Sequence, residues 1–274
     1  MSSNMRDGAP VRPGLPGSPR RFRHGTRVAV ESCIGVVATV AAWAGASVAV
    51  RNPSVLPSPT KVFAALGDMI AERGIFTDVA VSLAHLGSGY TIGISLGLVL
   101  AMLTARYRGF GAFMEPVVEV LRPISAIAWI PIAILLFGVS DGVPVFLIGY
   151  AATFPIFVSM LDGIRRLDVS LLNAARSLGA TPNFVTLHVI LPAAVPYLMT
   201  GARISLGLAW MAMVAGELVG ADAGLGWRIM WYQEFFAMDK VMAIILVIGV
   251  LGFIADAGLR WLQRALFHWN PEQA

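Results

Sequence analysis

Six apolar runs divide this chain, at roughly residues 28–50, 80–104, 112–138, 142–161, 195–220 and 241–263. A helix needs about 20 such residues to cross the hydrocarbon core of a bilayer. Composition agrees: 57% of residues are hydrophobic, 13% are charged and the mean hydropathy is +0.74. Soluble domains carry about 25% charged residues, so this chain cannot furnish the polar surface that a soluble fold of its length requires. The expected fold is all-α, a polytopic membrane protein with six transmembrane helices.

The formal net charge of +4 and pI near 9.6 do not point to nucleic acid. The lysines are only Lys61 and Lys240, and the arginines sit in short clusters between apolar runs, which is the pattern of membrane topology. With the N-terminus inside, thirteen basic residues fall on the cytoplasmic side, among them Arg106, Arg108, Arg165, Arg166 and Arg176. Five fall outside: Arg51, Lys61, Arg73, Arg228 and Lys240. That bias places both termini in the cytoplasm. Residues 1–27, rich in Pro and Arg, read as a disordered basic cytoplasmic tail. The run from Val28 is longer than a signal-peptide core and reads as a retained span. Residues 28–267, with a loop at 162–192, are expected to form one transmembrane domain and 268–274 a C-terminal tail. Cys33 is the single cysteine, so no intrachain disulfide forms, and it reads as a small packing residue. After the first span, residues 60–72 suggest a short amphipathic helix with Val62, Phe63, Leu66 and Ile70 on one side.

The stretch 162–192 is the longest internal loop and lies between spans four and five. Within it Leu171, Ala174, Ala175 and Leu178 recur at helical spacing and make one apolar face of a short helix. Asp168 or Ser170 can cap its start and Gly179 can end it. A second helix can begin at Pro182. The apolar face has no obvious cover from this chain, and the two alanines let another backbone approach closely.

This loop resembles the cytoplasmic loop of binding-protein-dependent ABC importer permeases, whose pattern is Glu-Ala-Ala, three residues, Gly, nine residues, Ile, one residue, Leu-Pro. Asn173-Ala174-Ala175, Gly179, Val189 and Leu191-Pro192 keep that spacing, with Asn173 in place of Glu and Val189 in place of Ile. Leu56-Pro57-Ser58-Pro59, Leu121-Arg122-Pro123 with Ala128-Trp129-Ile130-Pro131, and Gly216-Glu217-Leu218-Val219 with Gly224-Leu225-Gly226 resemble the nitrate, sulfonate and taurine branch. The resemblance implies a permease subunit, not itself an enzyme, of an importer in the bacterial cytoplasmic membrane. It implies two permease copies, ABC ATPase subunits that use ATP and Mg, and a substrate-binding protein outside. The implied solute is a small anion (an aliphatic sulfonate, taurine or nitrate). Alternatives are another small solute, such as a thiamine-precursor pyrimidine, or an ATP-independent secondary transporter. Neither lysine follows a glycine, so the chain has no Walker A loop and is expected to bind no cofactor itself.

Charged residues within spans are functional candidates by default. Glu217 has no basic partner at helical spacing, and Arg122 and Arg203 lie towards the inner side, where they could help an anion pass. Trp129, Trp210, Met211 and Met213 are pathway or packing residues. Structural pairing accounts for Arg27 with Glu31, Glu119 with Arg122, and Asp256 with Arg260. Gly89, Gly93 and Gly97 offer a face for close helix contact. The overlapping Gly93-Ile94-Ser95-Leu96-Gly97 matches a nucleophile elbow, but none of the four histidines is placed well inside a span to serve as its base. No cluster has metal-ligand spacing, and no metal site is expected.

Overall fold

The computed structural model describes residues 22–50, 52 and 55–266, with the backbone alone for 22–33, 36 and 266. The expectations for the N-terminal tail, Cys33, the Arg27–Glu31 pair and the C-terminal tail lie outside what is described. The chain divides into two compact units, residues 1–51 and 52–274. Of the first, helix α1 (Phe22–Val50) is described, with an apolar stretch Val37–Val50 among the described residues.

In the second unit the described residues form helices joined by short turns, without strands among them. The helices are α2 (Pro59–Ala71), α3 (Gly74–Arg106), α4 (Arg108–Leu121), α5 (Ile130–Phe137) and α6 (Gly142–Arg165), then α7 (Val169–Ser177), α8 (Pro182–Val185), α9 (Leu191–Gly220), α10 (Leu225–Glu234) and α11 (Met238–Leu266). Four helical runs are long and apolar enough to cross a membrane: α3, α6, the continuous run Pro182–Gly220, and α11. A bent pair, Arg108–Leu121 with Ala126–Phe137, makes a fifth if counted as one span.

Helix α6 is the centre. Of its most apolar stretch 61% is buried, against 28% or less for the other three. It is gripped on two sides by α3 and α9, and in both cases glycine makes the approach possible. A Cβ on Gly89 would stand 2.7 Å from Ile148 Cβ, on Gly93 2.6 Å from Ala152 Cβ, and on Gly97 2.6 Å from the Thr153 carbonyl. The α9 side repeats the device. Cβ atoms on Gly201, Gly216 and Gly220 would come within 3.0 Å of Ser159, Pro144 and Val143 of α6. With lipid as solvent no hydrophobic gain drives helices together, so close van der Waals contact through small residues does it. The i, i+4 glycine face read from the sequence is therefore a packing face. The Thr153 hydroxyl donates to the Gly149 carbonyl at 2.7 Å, and Met160, Ile148 and Leu147 fill the space between.

The third apolar run, expected as one span over 112–138, is broken. Helices α4 and α5 meet at 93° across a 3₁₀ turn, Ala126–Trp129. The reason is local. Pro123 follows the last residues of α4 and cannot continue its hydrogen bonding, while Pro131 sits in the first turn of α5, where a missing N–H costs nothing. Ser125 caps the turn by accepting from the Ile127 N–H, and the Tyr150 hydroxyl donates to the Leu121 carbonyl at 2.8 Å. Irregular backbone at membrane depth survives where protein or a cavity surrounds it.

Two further expectations shift. Helix α2 buries Val62, Ala65 and Met69, while Phe63 and Ile70 are exposed, so the face packed against α11 and α3 is rotated from the one expected. In a bilayer an apolar side chain need not be covered by protein, so apolar periodicity alone does not say which side packs. His85 lies eleven residues into α3 and is buried, deeper than the sequence suggests. It is ten positions from Ser95, about 15 Å along a helix at 1.5 Å per residue, so the elbow pattern gains no base.

Replacing Gly93 by valine is expected to drive α3 from α6 and destabilise the fold by about 1–3 kcal/mol or more, the usual range for overpacking. The thermal unfolding midpoint in detergent, compared with Gly87→Val, whose Cβ would meet nothing within 4 Å, measures it.

Candidate functional site

Three regions concern function: the loop after α6, a cleft beside α6, and a buried polar cluster joining α3, α9 and α10.

The loop folds as its residues dictate. Asp168 is the N-cap of α7, its carboxylate accepting the Ser170 N–H at 2.8 Å. Hydrogen bonds from Ser170 hold that carboxyl below the usual carboxylate range. After Leu178 the chain turns at Gly179 with φ +83°, a conformation that costs any residue with a Cβ. Helix α8 starts at Pro182 behind Thr181, whose hydroxyl accepts the Phe184 N–H. The second segment then departs from the expectation of a separate helix. It widens to a π turn over Thr186–Ile190 and runs straight into α9. Pro192 has no N–H to return to His188, and a wide turn accommodates its ring without breaking the helix. Val189 and Leu191 are half-buried in this junction and Pro192 is exposed.

On α7 the anticipated apolar face is open. Leu171 and Leu178 are 47% and 88% exposed, Asn173 and Ala174 are exposed and Ala175 is half-buried. Apart from half-buried Ala175 these residues are exposed, so most of the face is available to another protein.

The cleft has a volume of about 390 Å³ and lies between the broken span, α6 and α9. Its walls are apolar, with Ile127, Phe154, Leu208 and Met211 among them, and polar groups come from Ser125, Ser159 and Arg122. Exposed Arg122 stands where the cleft meets a second, charged cavity that includes Glu115, Glu119, Asp162 and Arg165. Glu115 is engaged there by Arg165 at 2.6 Å. Arg203 lines a third cavity with Ser159, Asp162 and Arg166, and faces Asp256 at 3.5 Å. The Asp256–Arg260 pair forms at 2.7 Å as expected. No Glu119–Arg122 ion pair is found among the described residues.

The remaining candidates sit elsewhere. Met213 is wholly buried among Leu86, Ile148 and Ala209, and Trp210 packs at the edge of that group. Trp129 packs against Tyr150 with the rings tilted by 48° and their centroids 5.3 Å apart, its indole N–H buried and unpaired. Met211, 68% exposed, is the methionine of this group that reaches the cleft.

Glu217 is entirely buried and does not line the cleft. One carboxylate oxygen accepts the Ser82 hydroxyl at 2.8 Å and the Gly226 N–H at 2.9 Å, and the other lies 2.9 Å from His85 Nδ1. The Leu225 N–H donates to the Ser82 hydroxyl at 2.9 Å. The other ring nitrogen of His85 is 3.0 Å from the exposed carboxylate of Asp141, but off the line of an N–H, so it makes no hydrogen bond. Gly224, at φ +109°, and Gly226 form the cradle, because a Cβ on either would stand within 2.7 Å of Glu217. The Glu217 and Gly224-Leu225-Gly226 pairing seen in sequence is thus a carboxylate and its receptor. Beside it, Asp78 takes two bonds from the Arg228 guanidinium, at 2.7 and 3.0 Å. Sequence reasoning missed Ser82, His85, Asp78 and Asp141 because they come from other helices. The signal was the three-to-four spacing of Asp78, Ser82 and His85 on one face of α3.

The described residues thus combine several apolar spans, one of them broken, with an apolar cleft ending on an arginine and an open helical loop. The model of one family, the binding-protein-dependent transport system inner membrane component, matches residues 93–268. The chain belongs to that family. Among curated members it is 34% identical over 239 residues to the taurine transport system permease protein of Escherichia coli (strain K12), covering 84% of this chain and 86% of that one. It is also 34% identical over 236 residues to the putative aliphatic sulfonates transport permease protein of the same organism, covering 86% and 90%. In fold it is similar to a chain of the inward facing MetNI methionine ABC transporter, with a TM-score of 0.55, 21% identity, and 70% of this chain and 94% of that one covered. As a member of the inner membrane component family the chain is a multi-pass ABC transporter permease.

Truncating Glu217 to alanine strands the Ser82 hydroxyl, the Gly226 N–H and His85 without their acceptor. Loss of a buried, multiply bonded carboxylate is expected to cost about 3 kcal/mol or more, read as a fall in the detergent unfolding midpoint. The companion Asp141→Asn, at the exposed rim, is expected to shift it little.

Proposed function

We propose that this permease moves a small anion, an aliphatic sulfonate or taurine first and nitrate less so, inwards across the bacterial cytoplasmic membrane. It spans that membrane six times with both ends inside, counting α1 and the bent pair as spans. The observation that carries the reading is the open apolar face of α7 ended by Gly179, at the spacing by which such permeases engage their ATPase. Basic residues support the sidedness. Arg106, Arg165 and Arg176 close α3, α6 and α7, and Arg165 pairs with Glu115 of α4, so these ends share one level of the structure.

In this reading two ABC ATPase subunits bind beneath two copies of the permease and consume ATP with Mg; this chain binds no cofactor. Closure of the ATPases pulls on α7. Because α8, the π turn and α9 are one helical run, a movement at the loop passes directly into the span that lines the cleft. Alternating access is a shift of population between inward- and outward-open states. A substrate-binding protein delivers the solute from outside. The anion preference is supported by Arg122 at the end of an apolar cleft, a guanidinium suited to bidentate oxyanions, and by the two relatives named for taurine and sulfonates. The intrachain Glu217 cluster serves the frame rather than the path, tying α10 to α3 and α9 at the outer side.

Two outcomes are expected. Gly179→Val forces a β-branched residue to positive φ and should abolish ATP-driven uptake in proteoliposomes containing the whole transporter, either by uncoupling hydrolysis or by loss of ATPase from the complex. Normal coupled uptake would count against the loop's role. Arg122→Gln should lower sulfonate uptake about tenfold, the effect of ~1.4 kcal/mol, while the ATPase still copurifies. Unchanged uptake would remove Arg122 from the path.

A further inference from the structure

A separate cavity of about 460 Å³ lies between the inner end of α3 and the loop. Its walls include Met102, Ile164, Leu172 and Val185, and two guanidinium groups border it: Arg106, the last residue of α3, and Arg176 of α7. No carboxylate lines it among the described residues. Among those residues neither arginine has an acidic partner, and Arg106 merely lies over the Tyr107 ring at 5.3 Å. Two cations bordering one space whose lining holds no carboxylate among the described residues give it a positive character that an anion complements.

We infer that this cavity binds the headgroup phosphate of an anionic phospholipid, which braces α7 against the inner surface of the membrane. The inference rests on the reading of the loop as cytoplasmic. Four features select a lipid. Arg106 ends a membrane span, which sets its guanidinium at headgroup level, where long basic side chains reach out of the hydrocarbon. The flank of α3 leading to it is exposed and apolar: Leu96, Val99 and Leu103 are 50%, 53% and 36% exposed at i, i+3 and i+7, a track for an acyl chain. Guanidinium forks match phosphate oxygens, and basic pockets between membrane helices on the cytoplasmic side are where lipid headgroups bind. Finally, Arg176 lies about 100° or more around α7 from every residue of the Leu171, Ala174, Ala175 and Leu178 face. The lipid and the ATPase therefore occupy different sides of one helix. A phosphate bridging Arg106 and Arg176 would fix the angle at which α7 presents itself, and anionic lipid would strengthen coupling.

The test uses the complete transporter in nanodiscs of equal parts phosphatidylglycerol and phosphatidylcholine. Phosphatidylglycerol retained on the permease is counted by native mass spectrometry, with and without millimolar inorganic phosphate. Retention should fall about fivefold for each arginine changed to glutamine and be largely restored by Arg106→Lys with Arg176→Lys. It should be unaffected by Arg108→Gln, which lies outside the cavity. ATP hydrolysis by the wild type should be higher with phosphatidylglycerol than with phosphatidylcholine alone, and the difference should vanish in the double glutamine variant. Equal retention by wild type and double variant overturns the site. Complete displacement by inorganic phosphate makes it a free-anion site and overturns the lipid assignment. Lipid is counted on the permease whether or not an ATPase accompanies it, so absence of the ATPase defeats the importer reading without deciding the lipid site.

Discussion

Helix α6 can touch α3 and α9 at backbone distance only because six glycines on its neighbours carry no side chain there. The other features of the second unit are arranged around that contact. The broken span packs on α6 through Tyr150 and Trp129, and the cleft is the space left where α6, α9 and the break diverge. α7 begins where α6 ends. Contact without a hydrophobic drive is short-range, and it is lost quickly when the helices separate by even part of an ångström. Such an interface holds helices as rigid units.

The buried carboxylate of Glu217 complements this apolar packing. An ionisable group sealed from solvent is tolerable only with its hydrogen bonds made, and here a hydroxyl, a backbone N–H and an imidazole make them. The result is directional where glycine packing is not. It fixes the register between α9 and α10 and locks both to α3, while Asp78 and Arg228 add a second tie between α3 and α10. These ends of the three helices are thereby held as one body.

Much of this was legible in the sequence, and for physical reasons. Span positions follow from hydropathy, the loop from its capping residues and Gly179, and the close contact of α3 from glycines every fourth residue. What was hidden depends on three dimensions. A 27-residue apolar run gives no sign of a 93° bend, except that Pro123 and Pro131 lie in it. The side of α2 that packs is turned from the apolar side read in the sequence, because lipid accepts the same residues that protein does. Met213 and Met211 look alike in sequence, yet two positions turn a helix by about 200°, enough to put one in the core and the other on the cleft. Glu217 was recognised as exceptional, but its partners lie more than 130 residues away in the chain, except Gly226.

In the proposed reading the cleft, the broken span and the open loop belong to a subunit that supplies a path and receives force. The most direct test places a photo-crosslinking amino acid at Leu171, on the open face of α7, and irradiates membranes in which the protein is made at its natural level. The account predicts one dominant adduct, with an ATP-binding-cassette subunit, whose yield changes when ATP is added. Absence of that adduct, together with uptake that proceeds without ATP, would contradict it and make the protein a transporter that needs no ATPase.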